Sequence, residues 1–143
     1  MAKRFTDTEL WDDDWFIGLP LQYKMFWFYI KDDCDHAGIW KPKKYKFQLL
    51  TDLSINIEDA LIAFNEGKER IKVLNEGRWY IVDFFHFQYG DCINISSKVH
   101  ESAVKTYLKE GLPLSSVHGI KIWKLNKDTT TTPTEIEVKL RSS

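Results

Sequence analysis

A lysine-rich stretch is the clearest chemical signal in this chain. Lys41, Lys43, Lys44 and Lys46 place four positive charges within six positions. Such a run is typical of a solvated helix face, but it is also typical of a patch that contacts phosphate groups. The run alone leaves both interpretations open.

A cysteine and a histidine two positions apart, Cys34 and His36, stand among aspartates and suggest a metal site. Zinc usually takes four ligands with paired spacing from two segments, so these two residues are half a site. His86 and Cys92 could complete it only if the fold brought them close. We predict instead a helix end, with Asp35 hydrogen-bonded to the turn and Cys34 buried, and no metal.

Catalytic motifs are absent from the sequence. His86 and Tyr89 invite comparison with nicking replication enzymes, which use paired histidines for a metal and a tyrosine nucleophile. Phe87 follows His86 and Gln88 comes next, so the histidine pair is missing. No GxxxxGK[ST], GxSxG or HExxH sequence occurs. We therefore expect a protein without enzymatic activity and without a cofactor.

Composition limits the class of protein. The 143 residues are 43% hydrophobic and 15% aromatic, which argues against a disordered chain. The formal net charge is −1, so any nucleic-acid binding must use a local patch. Two cysteines form no disulfide framework, and we find neither a signal peptide nor a membrane-length apolar run. We expect a location in the cytoplasm, with no membrane partner.

The charge is uneven along the chain. Residues 1–40 contain eight acids and four bases, whereas residues 41–80 contain eight bases and six acids. The head of the chain is therefore acidic and the middle is mildly basic.

The first half of the chain predicts an arm followed by three helices. Residues 1–18 are expected to be extended and to lay aromatic side chains on the body. A helix opening at Pro20 is predicted to be central and buried because it is apolar nearly all round. Its inward stripe is Leu21, Met25, Phe28 and Tyr29, widened by Phe26, Trp27 and Ile30.

Two shorter helices and a hairpin follow. We predict a helix over 43–50 with Phe47 and Leu50 inward, then a helix capped by Asn56. The spacing of Ile57, Ala60, Leu61 and Phe64 gives that third helix one apolar face. Two β-rich runs, 70–74 and 78–82, are joined by a Gly-containing loop suited to a tight reversal.

The end of the chain predicts a further helix and strand-like segments. The helix spans about 97–110, with Val99, Ala103, Tyr107 and Leu108 inward. Residues 120–125 and 135–140 have strand character, the second with strict alternation. They form either a C-terminal hairpin or a linker with two adhesive segments.

This order of elements predicts an α+β fold, a winged helix-turn-helix with an N-terminal arm, an additional C-terminal helix and a C-terminal β-hairpin. The predicted parts are an arm at 1–18, a winged-helix domain at 19–92, a helical segment at 93–118 and a strand-like tail at 119–143. The third helix of such a domain normally enters the major groove. Here that helix is acidic, through Glu58, Asp59 and Glu66, and would be repelled by phosphates. The predicted DNA contacts therefore lie on the second helix and the wing at 75–78: Lys41, Lys43, Lys44, Lys46, Lys68, Arg70, Lys72 and Arg78.

Several motifs resemble the N-terminal part of phage replication initiators, also called replisome organisers. They include KRFTDT at 3–8, KMFWFYI at 24–30, DCDHAGIW at 33–40, RIKVL at 70–74 and FQYG at 87–90. The likeness covers roughly residues 3–112. It implies a winged-helix domain distantly similar to that of DnaD-type primosomal proteins, and a role in marking an origin and recruiting the replicative helicase or its loader.

A second hypothesis is that the chain is a protein-binding module of a phage. An acidic third helix, together with an ordered tail in which Trp123 is the first candidate anchor, suits a basic groove on a host nuclease or replication factor. Under this hypothesis the contact residues are Glu58, Asp59, Glu66 and Trp123. The sequence does not decide whether the protein forms homodimers.

Overall fold

The computed structural model describes residues 2–90, 92–94, 97–112, 121–125 and 133–135. For Lys44 and for the strands at 92–94, 121–125 and 133–135, the description covers the backbone alone. The chain divides into two compact units, Met1–Val82 and Asp83–Ser143. The predicted arm at 1–18 therefore belongs to the same unit as the following helices, and the boundary lies ten residues before the predicted position at 92.

Unit 1 combines helices with a small antiparallel sheet, in the general α+β class that the sequence predicted. Its helices are α1 (Asp14–Ile17), α2 (Leu21–Asp33), α3 (Lys44–Thr51) and α4 (Ile57–Phe64), with 3-10 turns at Thr8–Asp12 and Asn75–Gly77. Its strands are β1 (Ile39–Trp40), β2 (Ile71–Val73) and β3 (Trp79–Ile81).

The sheet of unit 1 has the order β1-β3-β2, and both pairs are antiparallel. Trp40 and Val73 are both register partners of Trp79, one on each side of β3. The reversal between β2 and β3 requires left-handed backbone, which Gly77 (φ 73°) and Glu76 (φ 62°) adopt. The loop predicted to join two strands is therefore confirmed.

An aromatic cluster fills the core of unit 1. Phe26 packs against Trp40, Phe47, Phe64 and Trp79 with ring centroids 5.1–6.3 Å apart. One side chain on α2 therefore contacts aromatic residues of α3, α4 and two strands. Phe26 meets Trp40, Phe47 and Trp79 edge to face and stacks on Phe64, and both geometries add to the apolar burial.

The segment before α2 is more structured than the extended arm that the sequence predicted. Asp7 and Asp13 each accept a hydrogen bond from a backbone N–H two residues on, and so cap the 3-10 turn and α1. Phe16 is fully buried, and Trp15 packs against Trp27 and Phe64. The prediction of an extended arm was wrong because local side-chain caps favour two short helical turns.

Helix α2 buries only part of the apolar surface that the sequence predicted to be buried. Leu21 and Met25 are 66% and 42% exposed, whereas Phe26, Trp27 and Ile30 are buried. The sequence could not choose between these faces because both are apolar, and contact with the sheet and α4 decides it.

The turn between α3 and α4 is closed by side-chain hydrogen bonds. Gln48 Oε1 accepts from the Ile55 N–H at 3.0 Å, and Asn56 Oδ1 accepts from the Asp59 N–H at 2.9 Å. The second bond confirms Asn56 as the cap of α4. Leu50 was expected inside but is 70% exposed, and Phe47 alone anchors α3 in the core.

Unit 2 consists of helices α5 (Phe84–Tyr89) and α6 (Lys98–Lys109) and strands β4 (Cys92–Asn94), β5 (Lys121–Leu125) and β6 (Pro133–Glu135). Strand β5 pairs in parallel with β4 and antiparallel with β6. The predicted C-terminal strands therefore do pair, but β6 begins at 133, and residues 136–140 lie outside the described part. Helix α5 was not predicted from the sequence.

The helices of unit 2 meet through aromatic rings. Phe85 lies 5.1 Å from Tyr107 and 5.5 Å from Tyr89, measured between ring centroids. Ala103, Val104 and Tyr107 are buried, whereas Val99 was predicted to face inward and is exposed. No described helix is long and apolar enough to span a membrane.

Candidate nucleic-acid interface

The strand register brings predicted cations together at one end of the sheet. Trp40 pairs with Trp79, so Lys41, which follows β1, is aligned with Arg78, which precedes β3. Lys43 is two residues further along and is the N-cap of α3. The register therefore aligns Lys41 with Arg78, although more than thirty positions separate them in the sequence.

These cations are accessible. Lys41, Lys43, Lys46 and Lys72 are exposed, and none of them has an ion-pair partner among the described residues. Arg78 is half-buried and pairs with Glu76 of the loop at 3.1 Å. Lys44 is the first residue of α3, and only its backbone is described.

Two other predicted cations lie at the opposite end of the hairpin. Lys68 and Arg70 precede β2, whereas the 75–77 loop follows it. Five residues of extended chain span about 16 Å, so the base and the tip of the hairpin cannot contact one phosphate. The eight predicted DNA contacts therefore do not form one group, because Lys68 and Arg70 lie at the base of the hairpin, away from its loop.

Arg70 is held by groups of its own unit. Its guanidinium lies 3.9 Å from the centroid of the Trp15 ring, and its Nη1 donates to the carbonyls of Phe64 (3.1 Å) and Glu66 (2.7 Å). Burial lowers the pKa of Arg70, while the carboxylates of Asp13 and Glu66 act against that shift. The guanidinium stays charged at neutral pH and closes the carboxyl end of α4.

The base of the hairpin is further fastened by Asn65. Its Oδ1 accepts from the N–H groups of Arg70 and Ile71, both at 2.8 Å, and its Nδ2 donates to the Ile71 carbonyl at 3.0 Å. Trp15 adds a bond from Nε1 to the Ala63 carbonyl at 2.8 Å. No local sequence pattern indicates this network, because it joins residues from three separate segments.

A shallow cleft of about 480 Å³ borders this network. The lining residues are Asp14, Trp15, Gly18, Leu19, Glu66, Gly67, Lys68 and Arg70. Two of them, Asp14 and Glu66, are acidic, and two, Lys68 and Arg70, are basic. Acidic groups beside the two cations make it a poor site for a phosphate backbone.

The predicted acidic contacts Glu58, Asp59 and Glu66 are all exposed. Asp59 also lies near Tyr23 of α2, whose pKa is raised by burial and, to a smaller extent, by this carboxylate. The outer face of α4 also carries Ile62, which is exposed, and no base. Trp123 lies in β5, and its side chain is outside the described part.

The end of α2 is built as predicted. Asp35 Oδ1 accepts from the N–H groups of Ala37 (2.8 Å) and Ile39 (3.0 Å), and Cys34 is buried. Burial raises the pKa of the Cys34 thiol to about 11, so the thiolate that zinc requires is disfavoured at neutral pH. Among the described residues, no group of three or more His, Cys, Asp or Glu side chains could hold a metal ion.

Comparison with protein-family models, with curated proteins and with solved structures found no match to this chain. The likeness to phage replication initiators therefore depends on the motifs quoted from the sequence.

Proposed function

We propose that unit 1 is a winged helix that binds duplex DNA. In this proposal α2, α3 and α4 are its helices, β1-β3-β2 is its sheet, and residues 75–77 form the tip of its wing. The observation that carries the proposal is the register of β1 with β3, which aligns Lys41 with Arg78. Lys43, two residues after Lys41, is the N-cap of α3.

The two helix N-termini support this choice of surface. Helix α4 is capped by Asn56 and has Glu58 and Asp59 in its first turn, so its N-terminal N–H groups already face acceptors and negative charge. The N-cap of α3 is Lys43, whose side chain can only donate hydrogen bonds. A phosphate is thus favoured at α3 by lysines and by the helix dipole together.

The proposed contact set, called here the wing-side basic group, is Lys41, Lys43, Lys46, Lys72 and Arg78. Lys44 belongs to the same predicted run. Five phosphate contacts give a slope of about −4 to −5 for log K against log salt. Because α4 offers no base for the groove, we expect weak sequence readout. The proposed role is binding without catalysis: a phage or prophage replication-initiator-like protein that recruits replication proteins in the bacterial cytoplasm.

The test is duplex binding by the whole chain at several salt concentrations. Lys43→Glu with Lys46→Glu should weaken binding by more than about 100-fold and flatten the salt slope by about 2. The matched control, Lys98→Glu with Lys109→Glu on α6, makes the same change of charge on exposed residues of unit 2. Equal loss in both double variants would mean that net charge, and not this surface, governs binding.

A second candidate function is supported by the outer face of α4. Exposed Glu58 and Ile62 lie one turn apart, which combines a carboxylate with an apolar side chain suited to a basic protein groove. Under this candidate the chain is a protein-binding module that acts on a host nuclease or replication factor. Glu58→Lys with Ile62→Ser should then abolish capture of the host protein and leave DNA binding unchanged. Unaltered capture by this variant, or the absence of any captured protein, would eliminate the protein-binding function.

A further inference from the structure

Two exposed apolar surfaces of unit 1 carry opposite charge. The first lies on α2, where Leu21, Met25 and Phe28 follow one another at helical spacing and Asp32 continues the row. At about 100° per residue, this row faces nearly opposite to the buried Phe26 and Ile30. We call it the α2 strip.

The N-terminal segment covers only one end of the α2 strip. Trp11 and Phe16 contact the Phe28 ring at 5.9 Å and 5.4 Å between centroids. Met25 and Leu21, one and two turns earlier, remain exposed. Exposed carboxylates flank the covered end, Asp12 next to Trp11 and Asp32 one turn beyond Phe28.

The second surface is the outer side of α3. Tyr45 and Leu49, one turn apart, are 71% and 78% exposed, and Leu50 is beside them. Exposed Lys43 and Lys46 lie next to these three side chains. We call these five residues the α3 face. Phe47 points the other way and packs on Phe26 and Tyr29, so the α3 face and the α2 strip are separate surfaces.

We propose that the α2 strip of one copy of the chain binds the α3 face of a second copy. Each surface is apolar at its centre, and one is bordered by carboxylates while the other is bordered by lysines, so the two are complementary in both properties. Contact between different surfaces of identical chains is heterologous, and it extends into an open assembly unless the rotation closes a ring. The contact is small, so the association is weak and grows with protein concentration.

This interaction goes beyond the proposed DNA binding and shares only Lys43 and Lys46 with it. DNA on these lysines and a second copy on the α3 face therefore compete. Leu21 and Met25 belong to the self-association alone, which allows the two proposals to be tested separately.

The test is sedimentation velocity of the whole chain from micromolar to near-millimolar concentration, at low and high salt. We expect a sedimentation coefficient that keeps rising with concentration and falls with salt. Lys43→Glu with Lys46→Glu makes both surfaces acidic, and Asp12→Lys with Asp32→Lys makes both surfaces basic. Each variant alone should associate at least ~10-fold more weakly than the wild type.

The decisive sample is the equimolar mixture of these two variants, because it restores opposite charges across the contact. Association should return to near the wild-type level. All substituted residues are exposed, and far-UV circular dichroism checks that they leave the fold intact. A wild type that stays monomeric, variants that associate as the wild type does, or a mixture that stays monomeric would each overturn the proposal.

A non-ionic variant separates this contact from DNA binding. Leu21→Ser with Met25→Ser should abolish self-association and leave duplex affinity unchanged. If the same variant weakened DNA binding as strongly as it weakened association, the α2 strip would belong to a DNA surface and the proposed contact would be rejected. Failure of DNA binding in every protein, with association intact, would reject the proposed function alone.

Discussion

The base and the tip of the β2–β3 hairpin carry similar cations in different surroundings. At the base, Arg70 contacts an indole ring and two backbone carbonyls, and Asn65 binds the adjoining strand. At the tip, Arg78 is half-buried and pairs with the exposed Glu76, and Lys41 is exposed. A guanidinium that already has acceptors stabilises the fold, whereas exposed ammonium groups are available to a ligand.

This contrast shows why a list of basic residues does not define a binding surface. Lys68, Arg70, Lys72 and Arg78 have the same sequence signature, since all lie in or near a β-rich pair of runs. Only the register of the sheet and the hydrogen bonds at its base distinguish them. Substitutions at the two ends should therefore separate stability from binding.

The largest effect is expected from Trp15→Ala at the base. The substitution removes ring contacts with Trp27 and Phe64, the stacking under Arg70 and the Nε1 hydrogen bond to Ala63. We expect the free energy of unfolding to fall by about 3 kcal/mol, measured by urea denaturation.

Trp11→Ala is the control for that measurement. Trp11 contacts Phe16 and Phe28 but is 59% exposed. Its substitution should therefore lower the free energy of unfolding by only about 1 kcal/mol. An equal loss of stability in the two variants would show that the base network adds nothing to simple aromatic burial.

A smaller effect is expected from Arg70→Lys, which preserves the charge. Lysine cannot reproduce the planar stacking on Trp15 together with donation to two carbonyls. We expect a loss of about 1–2 kcal/mol in the free energy of unfolding and an unchanged salt slope for duplex binding. Unchanged stability combined with weaker DNA binding would move Arg70 into the contact set and remove the distinction between base and tip.

The sequence predicted the elements of unit 1 well where the signal was local. Asn56 and Asp35 were assigned their hydrogen-bonding roles because a side-chain oxygen near an N–H two or three residues away is a short-range arrangement. The hairpin loop at 75–77 follows from Gly77, and the helix at 57–64 from its apolar spacing.

Predictions failed where two apolar faces competed or where long-range contacts decided. Leu21 and Met25 were expected inside, yet tertiary packing buries Phe26 and Ile30 on the opposite face of α2. Leu50 of α3 was also expected inside, yet it is exposed, and Phe47 is the residue of that helix that reaches the core.

For the candidate site, the sequence identified the cations but not their grouping. The proximity of Lys41 and Arg78 comes from strand pairing across more than thirty positions. The separation of Arg70 from that group depends on Trp15, which is in a segment predicted to be an extended arm. No local pattern encodes either relation.

The smallest effect is expected from Lys72→Ala on β2. Lys72 is the register partner of Tyr80 on β3, which involves only its backbone. Its side chain is exposed and therefore contributes little to the fold. We expect the free energy of unfolding to change by less than about 0.5 kcal/mol, while the salt slope of duplex binding falls by about 1 because one phosphate contact is lost.

Lys68→Ala at the base is the matched control, because it removes the same charge from an exposed lysine four positions earlier. It should leave both the stability and the slope unchanged, since Lys68 borders a cleft that also contains Asp14 and Glu66. If Lys68→Ala lowered the slope as Lys72→Ala does, DNA would contact the hairpin along its whole length. The wing-side basic group would then have to be extended to the base, and Arg70 would have to be tested as part of it.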